Sequence, residues 1–178
     1  VILQTERLVL RPLRLEDVDD LVAMTAGPAH RPEFLLFRQT RETAERMIWA
    51  SVFNGQNKCF ETKRFGIQVA GDVQLIGHIV LFISRHDQIG NLGYELHPDF
   101  WNRGFMTEAI RRVLAFGFEE CGLERISAGA DLENVGSWRA MEKAGMVREG
   151  LLQRVRRYEG VWRDTVYYAA LNQNGQPC

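Results

Sequence analysis

The chain has 178 residues, 46% of them hydrophobic and 25% charged, and 22 Lys and Arg against 23 Asp and Glu leave a net charge of −1. That length matches about one domain with a full core, and the composition excludes a disordered or collagen-like chain. The near-neutral balance excludes a nucleic-acid module working by bulk charge, and no run of ~18 apolar residues is present to span a bilayer, so neither nucleic acid nor membrane is expected as a partner.

Leu8, Leu10 and Leu13, set among Arg7, Arg11 and Arg14, predict a short first strand ended by Pro12. The alternation of apolar and charged residues from Val1 to Arg14 is not that of a signal peptide. Val18, Leu21, Val22 and Thr25 recur at helical spacing, and Glu16 and Asp17 place negative charge in the first turn, where the helix dipole favours it. Gly27-Pro28 stops that helix. Ala29–Gln39 reads as irregular and holds the apolar run Phe34–Phe37; Ala44, Met47, Ile48 and Val52 then predict a second helix with Thr40 as its cap. Phe65, Ile67 and Val69 alternate as a strand, Gly71-Asp72 is a turn, and Leu75–Ile83 is a long buried strand. Ser84–Asn91 reads as a polar loop and Leu92–Leu96 as a further strand.

A long helix from about Gly104 to Cys121 carries Ile110, Val113, Leu114, Gly117, Phe118 and Cys121 on one stripe and ends at Gly122. Ile126, Ala128 and Ala130 give a short strand, and Gly136–Ala144 a helix closed by Gly145. Val155–Tyr158 and Val161–Tyr168 make a hairpin about Glu159-Gly160. The order β-α-α-β-β-β-α-β-α-β-β, without repeat, linker or low-complexity segment, predicts one α/β domain over residues 1–178 with a frayed polar tail from Asn172 to Cys178.

Cys59, Cys121 and Cys178 are far apart and odd in number, which fits reduced thiols in a cytoplasmic protein rather than a disulfide framework or a CxxC site. His30, His78 and His86 lack ligand spacing with any Cys or paired carboxylate, so no metal is expected. The junction of strand, tight loop (His97–Arg103) and helix at Gly104 presents unpaired N–H groups and a positive dipole end, with Arg103 beside it, which suits a phosphate-bearing ligand. A Gly at such a junction also serves as a turn alone. Neither G-x-x-x-x-G-K-[ST] nor G-x-G-x-x-G is present, which excludes the P-loop and dinucleotide-binding readings. Arg154, Arg156 and Arg157 form a cationic strand, either a solvated face or a guide for an acidic ligand.

Taken as a set, Leu92-Gly93-Tyr94-Glu95-Leu96, Pro98 through Ala109, Asn134-Val135-Gly136-Ser137 and Glu142-Lys143-Ala144-Gly145-Met146 resemble the GNAT superfamily of acyl-CoA N-acyltransferases. The opening Thr5-Glu6-Arg7-Leu8-Val9-Leu10-Arg11-Pro12, followed by Glu16-Asp17, is similar to the RimJ/RimL branch of ribosomal-protein N-terminal acetyltransferases. The resemblance runs from about Thr5 to Leu171 and implies a central mixed sheet, flanked by helices and splayed beside the strand that holds Tyr94 and Glu95, with acetyl-CoA in the split. The family's Q/R-x-x-G-x-G/A motif, whose amides wrap the pyrophosphate, is matched by Trp101 to Met106, with Trp101 where Gln or Arg is usual and Met106 where Gly or Ala is usual. It implies Asn102, Arg103, Gly104, Phe105, Met106 and Thr107 as phosphate-loop residues, Asn134 as a partner of a pantetheine amide, and Ser137 as the group that hydrogen-bonds or protonates the departing thiolate. Many relatives outside this branch use a Tyr there; here Trp138 follows and no Tyr is near in sequence. Asn134 and Ser137 equally suit a helix cap.

Glu95 lies in an otherwise apolar strand at the expected split, either as the base that accepts the amine proton or as a surface carboxylate. An ordinary carboxylate, pKa ~4.3, is a weak base that burial would strengthen. His97 points to the same side if the strand continues, although Pro98 argues that it ends. Backbone N–H groups of the Glu95–Leu96–His97 strand end would polarise a thioester carbonyl. The expected activity is direct acetyl transfer to a primary amine, with a protein N-terminal α-amine as the acceptor that the branch implies. A small-molecule amine (polyamine, amino acid or aminoglycoside-like) and a non-catalytic acyl-CoA sensor are the alternatives. Relatives are often dimers, so a homodimer is one option, with Trp49, Trp162 and Phe34 available to an interface or a core.

Overall fold

A computed structural model describes residues 1–26, 39–53 and 60–173. The predicted element order is observed, with one short strand added at the start. Strands β1 (Leu3–Gln4) and β2 (Leu8–Arg11) precede helices α1 (Val18–Ala26) and α2 (Arg41–Phe53). Strands β3 (Phe60–Val69), β4 (Leu75–Ser84) and β5 (Ile89–Leu96) are followed by α3 (Phe105–Glu119), β6 (Arg125–Asp131), α4 (Val135–Lys143), β7 (Val147–Tyr158) and β8 (Val161–Leu171). They form one eight-stranded sheet in the order β1-β2-β3-β4-β5-β6-β8-β7. Neighbours are antiparallel except β5 and β6, which are parallel because α3 carries the chain back across the sheet.

Strand β4 is buried along most of its length, as its continuous apolar run requires. The stretch expected as a loop before Leu92 contributes the start of β5, where Ile89 pairs with Ser84 in a tight hairpin. Strand β7 begins at Val147 rather than Val155; it is a sheet edge with mostly exposed residues, so no apolar alternation marks it. A register shift between Leu152 and Arg156 interrupts it, with Arg154 at φ 54°. Of the three arginines in its second half, Arg156 pairs with Asp131 of β6 and Arg157 donates to Gly160 O, while Arg154 donates its backbone N–H to Asp164.

Two apolar layers cover the sheet. Ala109, Ile110, Val113 and Phe116 of α3 and Met141 of α4 pack on Phe65, Ile67, Ile79, Leu81 and Leu92. Val18, Leu21 and Met24 of α1 and Ala44 and Ile48 of α2 pack with Leu13 and Leu75. Gly66 fixes the second layer on the opposite face: it lies between Phe65 and Ile67, and a Cβ there would sit 2.5 Å from Leu75 and 2.8 Å from Leu13. Each fully buried Leu or Ile adds roughly 1.5–3 kcal/mol to this packing.

The α1 entry differs from the dipole reading of Asp17. Leu15–Asp17 is a short 3-10 turn and α1 starts at Val18. Asp17 is buried and accepts both arms of the Arg11 guanidinium, at 2.8 and 2.7 Å, and the Arg14 N–H at 2.7 Å. Arg11 leaves β2 into the interior, and a charge buried there requires a partner. Thr40 caps α2 as expected: Thr43 N–H donates to its hydroxyl at 3.2 Å, and Thr40 N–H donates to Thr43 at 2.7 Å. The tail is anchored one residue further than predicted, since Asn172 N–H donates to Glu124 O at 3.0 Å. Phe34–Phe37, His30, Cys59 and Cys178 lie outside the described residues; Cys121 is a free, half-buried thiol. Among the described residues no helix is long and apolar enough to cross a membrane.

Candidate active site

The sheet is split. Strand β5 pairs with β4 along its length, from Ile89–Ser84 to Leu96–Gly77, and His97 N–H continues the ladder to Ile76 O at 2.8 Å. Its pairing with β6 stops at Leu92–Ala128. Beyond that point β6 stays with β8 as far as Asp131, so a wedge opens between Gly93 and Gly129. Backbone groups alternate sides along an antiparallel strand. The His97 amide is engaged with β4, which turns the Leu96 amide toward the wedge. Among the strand-end amides anticipated for carbonyl polarisation, that of Leu96 therefore faces the wedge and that of His97 does not.

Two pairs of polar side chains flank the wedge. Tyr94 crosses from β5 to the first turn of α4, where its hydroxyl lies 3.0 Å from Ser137 Oγ and 3.1 Å from Ser137 O. Burial pushes the Tyr94 hydroxyl well above its ordinary pKa, only partly offset by the Ser137 hydrogen bond, so it stays protonated. On the opposite face Glu95 sits directly across from His78 of β4, with carboxylate and ring nitrogen 3.4 Å apart. Their side chains are only 14% and 9% exposed, so Glu95 is not a solvent-facing surface carboxylate. The His97 ring is engaged locally instead. Its Nδ1 accepts from Asp99 N–H at 3.3 Å, capping the turn Pro98–Phe100.

The turn ahead of α3 is built to present amides. Asn102 and Gly104 have φ of 60° and 79°, and the first helical bond runs from Glu108 N–H to Gly104 O. The amides of Phe105, Met106 and Thr107 thus precede the hydrogen-bonded ladder, as at any helix start. Arg7 braces this turn from β2's side: it donates to Arg103 O at 3.1 Å, pairs with Glu108 at 2.7 Å and lies over the Phe105 ring at 4.7 Å.

A family model described as the acetyltransferase (GNAT) domain matches residues 7–147. The chain belongs to the GNAT acetyltransferases. It is 34% identical over 124 residues to the uncharacterized N-acetyltransferase YnaD of Bacillus subtilis (strain 168), covering 70% of this chain and 73% of that one. Among solved structures it is similar to a GNAT-family acetyltransferase from Bacillus anthracis, at 28% identity and TM-score 0.81, over 96% of this chain and 98% of that one. RimL, the ribosomal L7/L12 alpha-N-protein acetyltransferase solved with coenzyme A, shares the fold at 16% identity and TM-score 0.82, over 96% and 98% of the two chains.

Against the GNAT pattern, the two departures in the turn ahead of α3 have physical explanations. Met106 is 8% exposed and its side chain packs in the α3 core, so only its backbone faces the turn. Trp101 donates its indole N–H to Leu96 O at 2.7 Å, tying the loop to the end of β5. Asn134 caps α4, its side chain accepting from Ser137 N–H at 3.4 Å. The turn before it is held by buried Asp131, which takes both arms of Arg163 at 2.7 and 2.9 Å and the Glu133 N–H at 2.9 Å.

Sequence reasoning does not reach Tyr94, His78, Arg7 or Asp131 as site residues. No Tyr lies near Ser137 along the chain, yet Tyr94 reaches it across 43 positions. His78 becomes visible only once the β4–β5 register is known.

Proposed function

We propose that this GNAT enzyme transfers the acetyl group of acetyl-CoA directly to a protein N-terminal α-amine. The observation that carries this reading is the wedge beside β5, with a carboxylate–imidazole pair on one face and a hydroxyl pair on the other. Acetyl-CoA supplies the activated acetyl thioester. The amides of Phe105, Met106 and Thr107, with Gly104 allowing close approach, Asn102 shaping the turn and Arg103 adding charge, hold its pyrophosphate. Asn134 meets the pantetheine arm, and the Leu96 N–H faces the carbonyl. Glu95, set against His78, receives the amine proton. Nitrogen becomes strongly acidic as the new N–C bond forms, so a weakly basic carboxylate suffices at that stage. The Tyr94–Ser137 hydroxyl pair returns a proton to the leaving sulfur.

An α-amine, pKa ~7.7–8.0, is neutral far more often at pH 7 than a lysine at ~10.4, which favours it where the base is weak. The opening Thr5–Pro12 and the likeness in fold to RimL support the same acceptor. The test is mass spectrometry of pure protein with acetyl-CoA and a pool of peptides, polyamines, amino acids and aminoglycosides. Acetylation of peptide α-amines is expected. A product confined to free amino acids, polyamines or aminoglycosides overturns the acceptor assignment.

A further inference from the structure

Arg64 of β3 is a half-buried cation that no described carboxylate matches. Its Nε is buried and makes no hydrogen bond, and among the described residues no carboxylate pairs with it. The contrast with its surroundings is sharp: Lys63 and Arg85 share Glu61, Arg11 has Asp17, and Arg163 has Asp131. A half-buried guanidinium whose Nε lacks a partner is suited to an incoming anion, which would satisfy that donor and its charge. Burial lowers its pKa to about 10, which leaves it charged at neutral pH.

Its position follows from the sheet register. Arg64 lies across from Val80, and Gly66, two residues on, lies across from His78, which in turn faces Glu95. Residues two apart share a face. Arg64, His78 and Glu95 therefore lie on the same face of three adjacent strands, the face covered by α1 and α2. Strand spacing and rise put the Arg64 and Glu95 backbones roughly 12 Å apart. Arg64 is level with Gly93, where the wedge begins.

We propose that Arg64 binds a carboxylate of the acceptor, whose amine is held at Glu95. This inference rests on the reading above of transfer to an α-amine and names a second group that the acceptor carries. The acceptor is an α-amine compound with an acidic group within about one residue of the amine. Two sources share that chemistry: the α-carboxylate of a free amino acid, and an acidic side chain near the start of a peptide. Glu95 at the amine and positive Arg64 at the carboxylate hold the two ends of such a molecule, fixing its orientation as well as its position.

The test compares matched acids and amides under saturating acetyl-CoA: peptides beginning Ala-Glu against Ala-Gln, and alanine against alaninamide. One acid is expected to exceed its amide in kcat/KM by about tenfold or more, the scale of a hydrogen bond to a charged group, and the pair that shows it identifies the source. Arg64→Gln is expected to bring that ratio close to one, and Arg64→Lys to restore part of it, with circular dichroism confirming that both fold. Equal kcat/KM within both wild-type pairs overturns the carboxylate site and leaves the transfer reading standing. A wild-type preference that survives intact in Arg64→Gln overturns the assignment to Arg64. No product from either pair, with acetyl-CoA bound, overturns the transfer reading and this inference with it.

Discussion

Glu95 and His78 meet because β4 and β5 pair in one register, and a shift of a single residue would send Glu95 to the other face. The carboxylate is legible in the sequence as a lone charge in an apolar strand, whereas its imidazole neighbour is not, since pairing across strands leaves no local mark. Replacing Glu95 with Gln keeps the shape and removes the proposed base. It is expected to lower kcat by about 100-fold while the acetyl-CoA Kd, measured by calorimetry, stays within about twofold of wild type; a kcat equal to wild type would remove Glu95 from proton transfer. Tyr94 and Ser137 act through one hydrogen bond, so Tyr94→Phe and Ser137→Ala are each expected to slow thiol release by about tenfold. The double variant is expected to lose little beyond either single change, because neighbours that share a contact are not additive. Full additivity in that cycle would mean that the two hydroxyls work separately.

The start of α3 joins local and distant residues. Glu108 receives Thr5, the Arg7 N–H and the Arg7 guanidinium, which fastens the first strands to the loop that presents amides. Burial alone would raise the Glu108 pKa, but these donors outweigh it and hold it below the ordinary value. A carboxylate depressed by folding contributes stability above its unfolded pKa and loses it as pH falls through its folded one. Thermal melts from pH 7 to pH 3 are therefore expected to fall more steeply for wild type than for Glu108→Gln, and identical slopes would contradict the assignment. The Arg11–Asp17 pair is more deeply buried, with side chains 8% and 6% exposed. Asp17→Ala leaves the guanidinium unpaired and is expected to cost about 3–5 kcal/mol in urea unfolding. The acidic pair before α1 is visible in the sequence, but its use is not: dipole and ion-pair roles look alike until the path of Arg11 into the interior is known. The long apolar stripe of α3 is readable almost to its ends because one face alone is buried, while exposed β7 gives no such pattern.

The sheet gives the protein two unlike faces and one break between them. Helices α3 and α4 cover the face on which Tyr94 packs, and α1 and α2 cover the face of Arg64, His78 and Glu95. The break exists because β5 outlasts its pairing with β6 while both remain paired on their far sides. Periodicity along the chain predicts the element order, and the motif resemblance predicts the split; where pairing ends, and so which amide and which hydroxyls border the wedge, depends on contacts between distant segments. The proposed acetyl transfer at this break, with Glu95 taking the proton, would join the two faces into one site. Intact-mass detection of acetyl transfer to a peptide α-amine, by wild type and Glu95→Gln side by side at equal acetyl-CoA occupancy, tests it. The expected product carries one acetyl group and forms about 100-fold more slowly in the variant. Equal rates in the two proteins would mean that the proton leaves by another route.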